Sequence, residues 1–270
     1  VRIIQLEETV KSLNATLSQL LEEQPKTISS SLSIELYTAL RNQMKYLSGK
    51  MEQLEKIPIP SSCYGIRRSG VYVLQPEGSE NSFDAYCDNG WTYFFRRHNG
   101  TVTFLRDWFE YKNGFGDASS EFWAGNENLH FLTHQDKYRL RVEVADWNGT
   151  FYQAEYGHFQ LSAESDFYKL SVKEHSGNLS NALYTTPPSH FSHNEQAFST
   201  FDRDHDGSPS ANCAMIFSGG WWYNDCYLCN PTGPYCTNEE SHAKCMVWWL
   251  DNKRIILKSI AMAVKEVNSM

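Results

Sequence analysis

The chain has 270 residues and a formal charge of −8, with 24 Lys and Arg residues against 32 Asp and Glu residues. This acidity argues against general nucleic-acid binding, which depends on neutralising phosphates with Lys and Arg. There is no run of about 20 apolar residues, so the sequence contains no candidate membrane span. Because Val1 already lies in a helical pattern, without an initiator Met or a signal peptide, we expect a fragment of a longer protein.

Cysteines and glycosylation sequons indicate the compartment. The seven cysteines are an odd number, so one thiol is free or paired outside the chain. Four N-x-S/T sequons accompany them, at Asn14, Asn99, Asn148 and Asn178. Together these features predict a secreted glycoprotein of an oxidising compartment.

Residues 1–57 carry a heptad pattern. Apolar residues alternate steps of three and four at Ile3, Leu6, Val10, Leu13, Leu17 and Leu20. The pattern breaks at Pro25 and resumes, out of phase, from Tyr37 to Leu54. Because the seam is narrow and its surroundings are polar, we expect an α-helical coiled coil that makes the chain a homo-oligomer. An amphipathic helix packed on its own domain is the alternative, and the number of strands stays open.

Residues 58–62 form a Pro- and Ser-rich linker, and residues 63–268 have the composition of a globular domain. β-forming residues cluster between turn residues in three stretches, 70–74, 91–95 and 138–144. We therefore predict the α+β class, with an antiparallel sheet and long loops. Residues 175–245 are poor in regular patterns, so cross-links and ions are expected to hold them.

Carboxylates occupy alternate positions at Asp202, Asp204 and Asp206. In a curled loop, alternate residues converge on one hard cation, and Ca²⁺ takes six to eight oxygen ligands. The pattern opens like an EF-hand loop, but the twelfth position, where a bidentate Glu is required, is Cys213. We predict a Ca²⁺ loop of another kind, with a solvated acidic turn as the alternative.

Cys213 and Cys226 bracket a Trp-rich segment, and as a disulfide they would close a short aromatic loop beside the acidic one. A zinc site is an alternative for the later cysteines. Its ligands would be Cys226, Cys229, Cys236, His242 and Cys245. A second C-x₂-C pair is missing, and the predicted secretion also argues against zinc. The sequence has no G-x-S-x-G, H-E-x-x-H or P-loop motif, so we predict a binding protein and not an enzyme.

Several further motifs run from Cys63 to the end of the chain. They include Tyr86-Cys87-Asp88, Gly90-Trp91-Thr92, Glu121-Phe122-Trp123, the segment Phe198 to Asp206, Asn212-Cys213-Ala214 and Gly220-Trp221-Trp222-Tyr223. With these motifs the sequence resembles the fibrinogen C-terminal (fibrinogen-related) domain family, in which an N-terminal coiled coil is usual. The resemblance implies a fibrinogen C-terminal-like globular domain preceded by an α-helical coiled coil.

The resemblance also implies a Ca²⁺ site. Asp204 and Asp206 would be its carboxylate ligands, with Ser208 and Ser210 contributing backbone or hydroxyl oxygens. One extra residue lies between Asp206 and Cys213 compared with the common spacing of the family. The two serine positions are therefore less closely matched than the two aspartates.

Two disulfides and a cis peptide follow from the same resemblance. The disulfides are Cys63–Cys87 and Cys213–Cys226, and the cis peptide would join Asn212 to Cys213.

Cys229, Cys236 and Cys245 are additions to the family's usual framework. We prefer a Cys236–Cys245 bridge because both residues flank one short loop near the predicted pocket, and this leaves Cys229 unpaired. Cys229–Cys236 and Cys229–Cys245 stay open.

In the ficolin-like and tachylectin-like lectins of this family, a pocket beside the second disulfide holds the acetyl group of N-acetylated sugars. The resemblance places Phe217, Tyr227, His242 and Ala243 on its walls. The sequence departs from the family pattern because Tyr227 stands where the family has His, and Cys245 stands where it has Gly. An aromatic, amphipathic pocket is retained, which suits a methyl group and polar sugar atoms. Ordinary core aromatics are the alternative.

We therefore predict a secreted, Ca²⁺-dependent recognition lectin of innate immunity that binds acetylated glycans multivalently, with the coiled coil supplying avidity. The alternative is an angiopoietin-type or fibroleukin-type ligand that binds a cell-surface or extracellular protein. The altered pocket and the added cysteines favour this alternative.

Overall fold

The computed structural model describes residues 38–49, 58–186, 189–237, 244–251 and 253–267. The chain divides into two compact units, Val1–Pro58 and Ile59–Met270. In the first unit, residues 38–49 form helix α1, on which the side chains of Leu40 and Leu47 are exposed. The rest of the predicted coiled coil, and the sequon at Asn14, lie outside the described residues.

The second unit is built on an antiparallel sheet. Its strands are β1 (Gly70–Leu74), β2 (Phe83–Asp88), β3 (Trp91–Arg97), β4 (Phe115–Gly116), β5 (Phe122–Trp123), β6 (Tyr138–Asp146), β7 (Phe151–Leu161), β8 (Leu170–Gly177), β9 (Val247–Leu250) and β10 (Lys253–Glu266). The helices are α2 (Trp108–Asn113), α3 (Asn126–His134) and α4 (Cys213–Phe217), with a 3₁₀ turn at Glu164–Asp166. The predicted mixture of sheet and helix is thus mostly sheet, with few and short helices.

The last strand of the chain lies in the middle of the sheet. The strand order is β1-β2-β3-β10-β6-β7-β8, and each neighbouring pair is antiparallel. Ile260 of β10 is paired with Arg97 on one side and with Val144 on the other. Strand β6 alternates buried and half-buried residues along its whole length, as expected for a strand with one face on the core.

Aromatic rings form the centre of the core. Trp123 is almost fully buried, and its ring centroid lies 5.5 Å from those of Phe95 and Tyr111 and 6.0 Å from that of Trp222. Such rings bury large areas and favour edge-to-face contacts. The core therefore joins the sheet to the segment that follows β8, and it provides a support for the long loops of that segment.

A buried carboxylate holds the loop that follows β3. Glu121 has no exposed surface, and its Oε1 accepts the backbone N–H groups of His98, Asn99 and Gly100 at 2.7–2.8 Å. Its Oε2 accepts the N–H of Val102 at 3.0 Å. Burial alone would raise the pKa of Glu121, but the four backbone hydrogen bonds together hold it below the usual value. The carboxylate thus orders the loop that presents the Asn99 sequon.

Three predicted glycosylation positions lie in the described part of the chain. The side chains of Asn99, Asn148 and Asn178 are all exposed. Asn99 Oδ1 accepts both the backbone N–H and the hydroxyl of Thr101, at 3.0 and 2.7 Å. Glycosylation of these residues remains a prediction, and their exposure is compatible with it.

Candidate functional site

The acidic loop follows a segment anchored in the core. Phe198 is fully buried, and its carbonyl accepts the Nδ1–H of His205 at 2.9 Å. The backbone N–H of His205 donates to Ser199 Oγ at 3.0 Å. On the other side, Gly207 donates its N–H to the carbonyl of Asn224, and a Cβ at this glycine would clash with Asn224 Oδ1. The loop is therefore hydrogen-bonded to a neighbouring segment on each side.

Asp206 connects the acidic loop to helix α4. Its two carboxylate oxygens accept the backbone N–H groups of Ser208 at 2.9 Å and of Cys213 at 2.7 Å. Asp204 is exposed, and its Oδ1 accepts the backbone N–H of Asp206 at 3.2 Å. Burial raises the pKa of Asp206 to about 6; the two backbone hydrogen bonds oppose the rise, and the charge of Asp204 adds to it.

The oxygen atoms of the acidic loop suit a hard cation that is bound by few charged ligands. Each oxygen of Asp206 accepts one N–H and retains a second lone-pair direction, and Asp204 faces solvent. In the described residues, no group of three or more His, Cys, Asp or Glu side chains converges on a point. Two adjacent carboxylates with otherwise neutral oxygens fit weak Ca²⁺ binding, in which carbonyls and water complete the shell. Ser208 and Ser210 lie in the same loop, half-buried and exposed respectively.

Three disulfides stabilise the unit. They are Cys63–Cys87, Cys213–Cys226 and Cys236–Cys245, with S–S distances of 1.97, 2.00 and 2.01 Å. Cys229 is a buried free thiol. The alternative zinc site is incompatible with these bonds, because disulfide sulfurs are not available as thiolate ligands.

The cis peptide lies at a different position from the expected one. The bond between Asp225 and Cys226 is cis, whereas we expected the cis bond between Asn212 and Cys213. Asn212 instead caps helix α4, since its side chain accepts the backbone N–H of Met215 at 2.7 Å. Both peptides adjoin a cysteine of the same disulfide, so sequence position alone did not distinguish them.

Phe217 and Tyr227, two predicted pocket residues, are in contact. Their ring centroids are 4.7 Å apart with an interplanar angle of 84°, an edge-to-face arrangement. Phe217 is half-buried, whereas Tyr227 is only 6% exposed. The other two predicted wall residues, His242 and Ala243, lie outside the described residues.

Asn230 and Tyr223 support this aromatic pair, and the sequence analysis did not identify either as a site residue. Tyr223 donates its hydroxyl to Asn230 Oδ1 at 2.7 Å. The amide of Asn230 donates to the carbonyls of Phe217 at 3.2 Å and of Lys244 at 2.9 Å. One fully buried amide therefore joins the end of helix α4 to the segment that precedes β9. The position of Asn230 between Cys229 and Pro231 could have marked it as a candidate site residue, but an Asn before Pro is equally typical of a turn.

Arg254 also borders the site. Its guanidinium lies 5.1 Å from the ring centroid of Tyr227, a cation–π distance. Burial raises the pKa of Tyr227, and the charge of Arg254 opposes this rise. Arg254 belongs to β10, 27 residues further along the chain, so no local pattern could associate it with Tyr227.

His193 fixes the backbone behind the aromatic pair. It is fully buried, and its Nδ1–H donates to the carbonyl of Trp222 at 2.7 Å. Its Nε2 accepts the backbone N–H groups of Leu228 and Cys229, both at 3.2 Å. Because these bonds require a neutral ring, they assign the tautomer, and burial lowers the pKa of His193 to about 4. The ring thereby positions the segment that follows Tyr227.

Comparisons with known proteins identify the family. Residues 61–267 match the family of fibrinogen beta and gamma chains, C-terminal globular domain. The chain belongs to this family. The match confirms the resemblance inferred from the motifs between Cys63 and Tyr223.

Several fibrinogen-related proteins are similar to this chain. Human Ficolin-3 is 41% identical over 198 residues, which are 71% of this chain and 63% of that protein. Human Angiopoietin-related protein 1 is 40% identical over 161 residues, which are 58% of this chain and 31% of that protein. The solved fibrinogen-like globe domain of human ANGPTL2 matches with a TM-score of 0.70 and 34% identity, covering 77% of this chain and 99% of that chain.

The chain thus spans less than two thirds of the length of these two curated relatives. Within its described residues, no helix has both the length and the apolar character needed to cross a membrane.

Proposed function

We propose that this fibrinogen-related protein is a secreted recognition lectin that binds acetylated glycans beside the Cys213–Cys226 disulfide. The observation that carries the proposal is the perpendicular contact between Phe217 and Tyr227 next to that disulfide. An acetyl methyl group packs well against aromatic rings, while neighbouring backbone groups and charges can bind the polar sugar atoms. His242 and Ala243 are proposed as the remaining wall residues.

Ca²⁺ is proposed to stabilise the shape of the binding site. Asp206 accepts the N–H of Cys213, the first residue of helix α4, and Phe217 is the last residue of that helix. A cation held by Asp204 and Asp206, with Ser208 and Ser210 as further oxygen donors, would keep both carboxylates ionised. Removal of the cation would therefore loosen the attachment of α4 and, with it, the position of Phe217.

The proposed lectin activity is tested on a glycan array and by titration with N-acetylglucosamine. We expect binding to acetylated sugars, more than about tenfold weaker binding to glucose, and loss of binding in EDTA that is restored by added Ca²⁺. The Asp204→Asn variant should show a reduced response to Ca²⁺. Failure of the oligomeric protein to bind any acetylated glycan in the presence of Ca²⁺ would reject the proposal.

A matched pair of variants locates the sugar site. Phe217→Ala removes a half-buried ring from the proposed pocket, and Phe151→Ala removes a 56% exposed ring from β7. We expect Phe217→Ala to weaken N-acetylglucosamine binding by at least about tenfold, while Phe151→Ala binds like the parent protein. Equal effects of the two substitutions would place the sugar elsewhere.

A protein-binding ligand is the second candidate, and an exposed apolar surface favours it. On α4, the side chains of Met215 and Ile216 are 61% and 40% exposed. Phe201 is 37% exposed and adjoins the same helix, because its carbonyl accepts the side-chain N–H of Asn212 at 3.3 Å. Exposed apolar residues that occur together are typical of protein interfaces.

Pull-down from cell-surface extracts distinguishes the two functions. A lectin should lose its captured proteins when free N-acetylglucosamine is added or when the extract is deglycosylated. A receptor ligand should retain them under both treatments and lose them in the Met215→Ser/Ile216→Ser variant. The second pattern would replace the lectin proposal.

A further inference from the structure

Two histidines lie together on helix α3, outside the site described above. His130 and His134 are four residues apart, so they occupy the same face of the helix. Their ring centroids are 4.1 Å apart with an interplanar angle of 55°. His130 is half-buried and His134 is exposed, so the pair is open to solvent.

Hydrogen bonds determine which ring nitrogen is free in each histidine. His130 Nδ1 lies 3.0 Å from the carbonyl oxygen of Leu161, at the end of β7. His134 Nδ1 lies 2.9 Å from the carbonyl oxygen of His130. A carbonyl oxygen can only accept, so both Nδ1 atoms must carry the proton. In the neutral rings, both Nε2 atoms are then unprotonated, and no residue of the described ranges hydrogen-bonds either of them.

This arrangement matches the outer shell of a metal site. Metal-bound histidines usually donate the other ring N–H to a backbone carbonyl or a carboxylate, which fixes the tautomer and the ring orientation. With both Nδ1–H groups donated to carbonyls, the neutral rings present their Nε2 atoms as ligands.

We propose that His130 and His134 bind a borderline transition-metal ion, Zn²⁺ in the extracellular medium, through their Nε2 atoms. Imidazole nitrogen suits Zn²⁺, Cu²⁺ and Ni²⁺, whereas Ca²⁺ prefers oxygen. Tetrahedral Zn²⁺ would require the two Nε2 atoms to lie about 3.3 Å apart. The ring centroids lie 4.1 Å apart, a separation compatible with both rings contacting one ion, and water would complete the shell. The site is independent of the proposed glycan pocket.

The test is calorimetric titration of the full chain with ZnCl₂, after removal of bound metals and in the presence of excess Ca²⁺. We expect His134→Gln to remove one Zn²⁺ binding event or to weaken it by more than about tenfold. Loss of a residue that only hydrogen-bonds a ligand already lowers metal affinity by about tenfold or more, and His134 is a proposed ligand itself. The matched control is His158→Gln, in the neighbouring strand β7, which should titrate like the parent protein.

A second measurement maps the site directly. Diethyl pyrocarbonate modifies accessible histidines, and mass spectrometry locates each modified residue. We expect Zn²⁺ to protect His130 and His134 and to leave the modification of His158 unchanged. Identical titrations of the parent protein and His134→Gln, or the absence of protection at both residues, would overturn the proposal.

Discussion

Glu121 shows how one residue can organise a whole loop. Its carboxylate accepts four backbone N–H groups, and the neighbouring guanidinium of Arg97 donates to the carbonyls of Pro231 and Gly233. Burial lowers the pKa of Arg97 to about 10, and the negative charge of Glu121 opposes this shift. Glu121 and Arg97, through these hydrogen bonds, thus connect the loop after β3 with the segment that follows Asn230.

Glu121→Gln should destabilise the protein. The glutamine side chain carries no negative charge, and its NH₂ group would face backbone N–H donors. We therefore expect the free energy of unfolding to fall by about 1.5–3 kcal/mol. Urea denaturation with intact disulfides measures this change. The exposed Glu80→Gln should alter stability by less than about 0.5 kcal/mol. Because the folded-state pKa of Glu121 is depressed, the difference between parent and variant should shrink as pH falls through that pKa.

His193 should make stability depend on pH in mildly acidic solution. Its pKa is about 4 in the folded protein, against about 6.5 in an unfolded chain. Between these values the unfolded state binds a proton that the folded state excludes, so the free energy of unfolding falls as pH decreases. The predicted loss is about 3 kcal/mol, complete near the folded-state pKa.

Urea denaturation across this pH range tests the role of His193. Gln can accept and donate at similar positions without titrating, so His193→Gln should show a weaker pH dependence than the parent protein. If the variant does not fold, the imidazole NMR signals of the parent protein serve instead, and His193 should remain neutral at pH 5. Protonation near pH 6.5 would contradict the prediction.

At the scale of elements, the sequence located several strands but not their order. The stretches 70–74, 91–95 and 138–144 lie within β1, β3 and β6, because alternating or clustered β-formers are a local signal. The insertion of β10 between β3 and β6 depends on pairing between distant segments, which no local pattern records.

The Cys236–Cys245 disulfide is expected to hold the loop between its two cysteines, which contains His242. Replacement of both cysteines by Ser should lower the free energy of unfolding by about 2–4 kcal/mol and also weaken N-acetylglucosamine binding. The control is the Cys63→Ser/Cys87→Ser variant, whose disulfide lies in a separate small core cluster with Leu74 and Ala85. It should lose stability without losing sugar affinity. Unchanged affinity in the first variant would remove this loop from the proposed site.

At the scale of the whole molecule, the coiled coil predicted for residues 1–57 would supply the avidity of the proposed lectin. Leu13→Ser combined with Leu17→Ser should convert the oligomer into monomers, as measured by sedimentation velocity, because both leucines lie on the heptad seam. Binding to a surface dense in acetylated glycans should fall by about 10²–10⁴, while affinity for free N-acetylglucosamine stays the same. Oligomers that persist in this variant would contradict the assignment of the seam.

The family, the turn-rich character of the segment after β8 and a short set of candidate residues could all be predicted from the sequence. These properties are carried by local motifs, such as Asn212-Cys213-Ala214, and by residue type. Even so, local motifs left two pairings open for Cys229, and they placed the cis peptide beside the wrong cysteine of the Cys213–Cys226 bond.

The contacts between distant residues became known from the three-dimensional structure. It brought Arg254 to the ring of Tyr227, and it made Asn230 the link between Phe217 and the segment before β9. It also showed that His193 is a buried structural residue. Each of these contacts joins segments that lie far apart in the chain or in different loops. Packing and the need to satisfy buried polar groups select them, and neither is visible in sequence spacing.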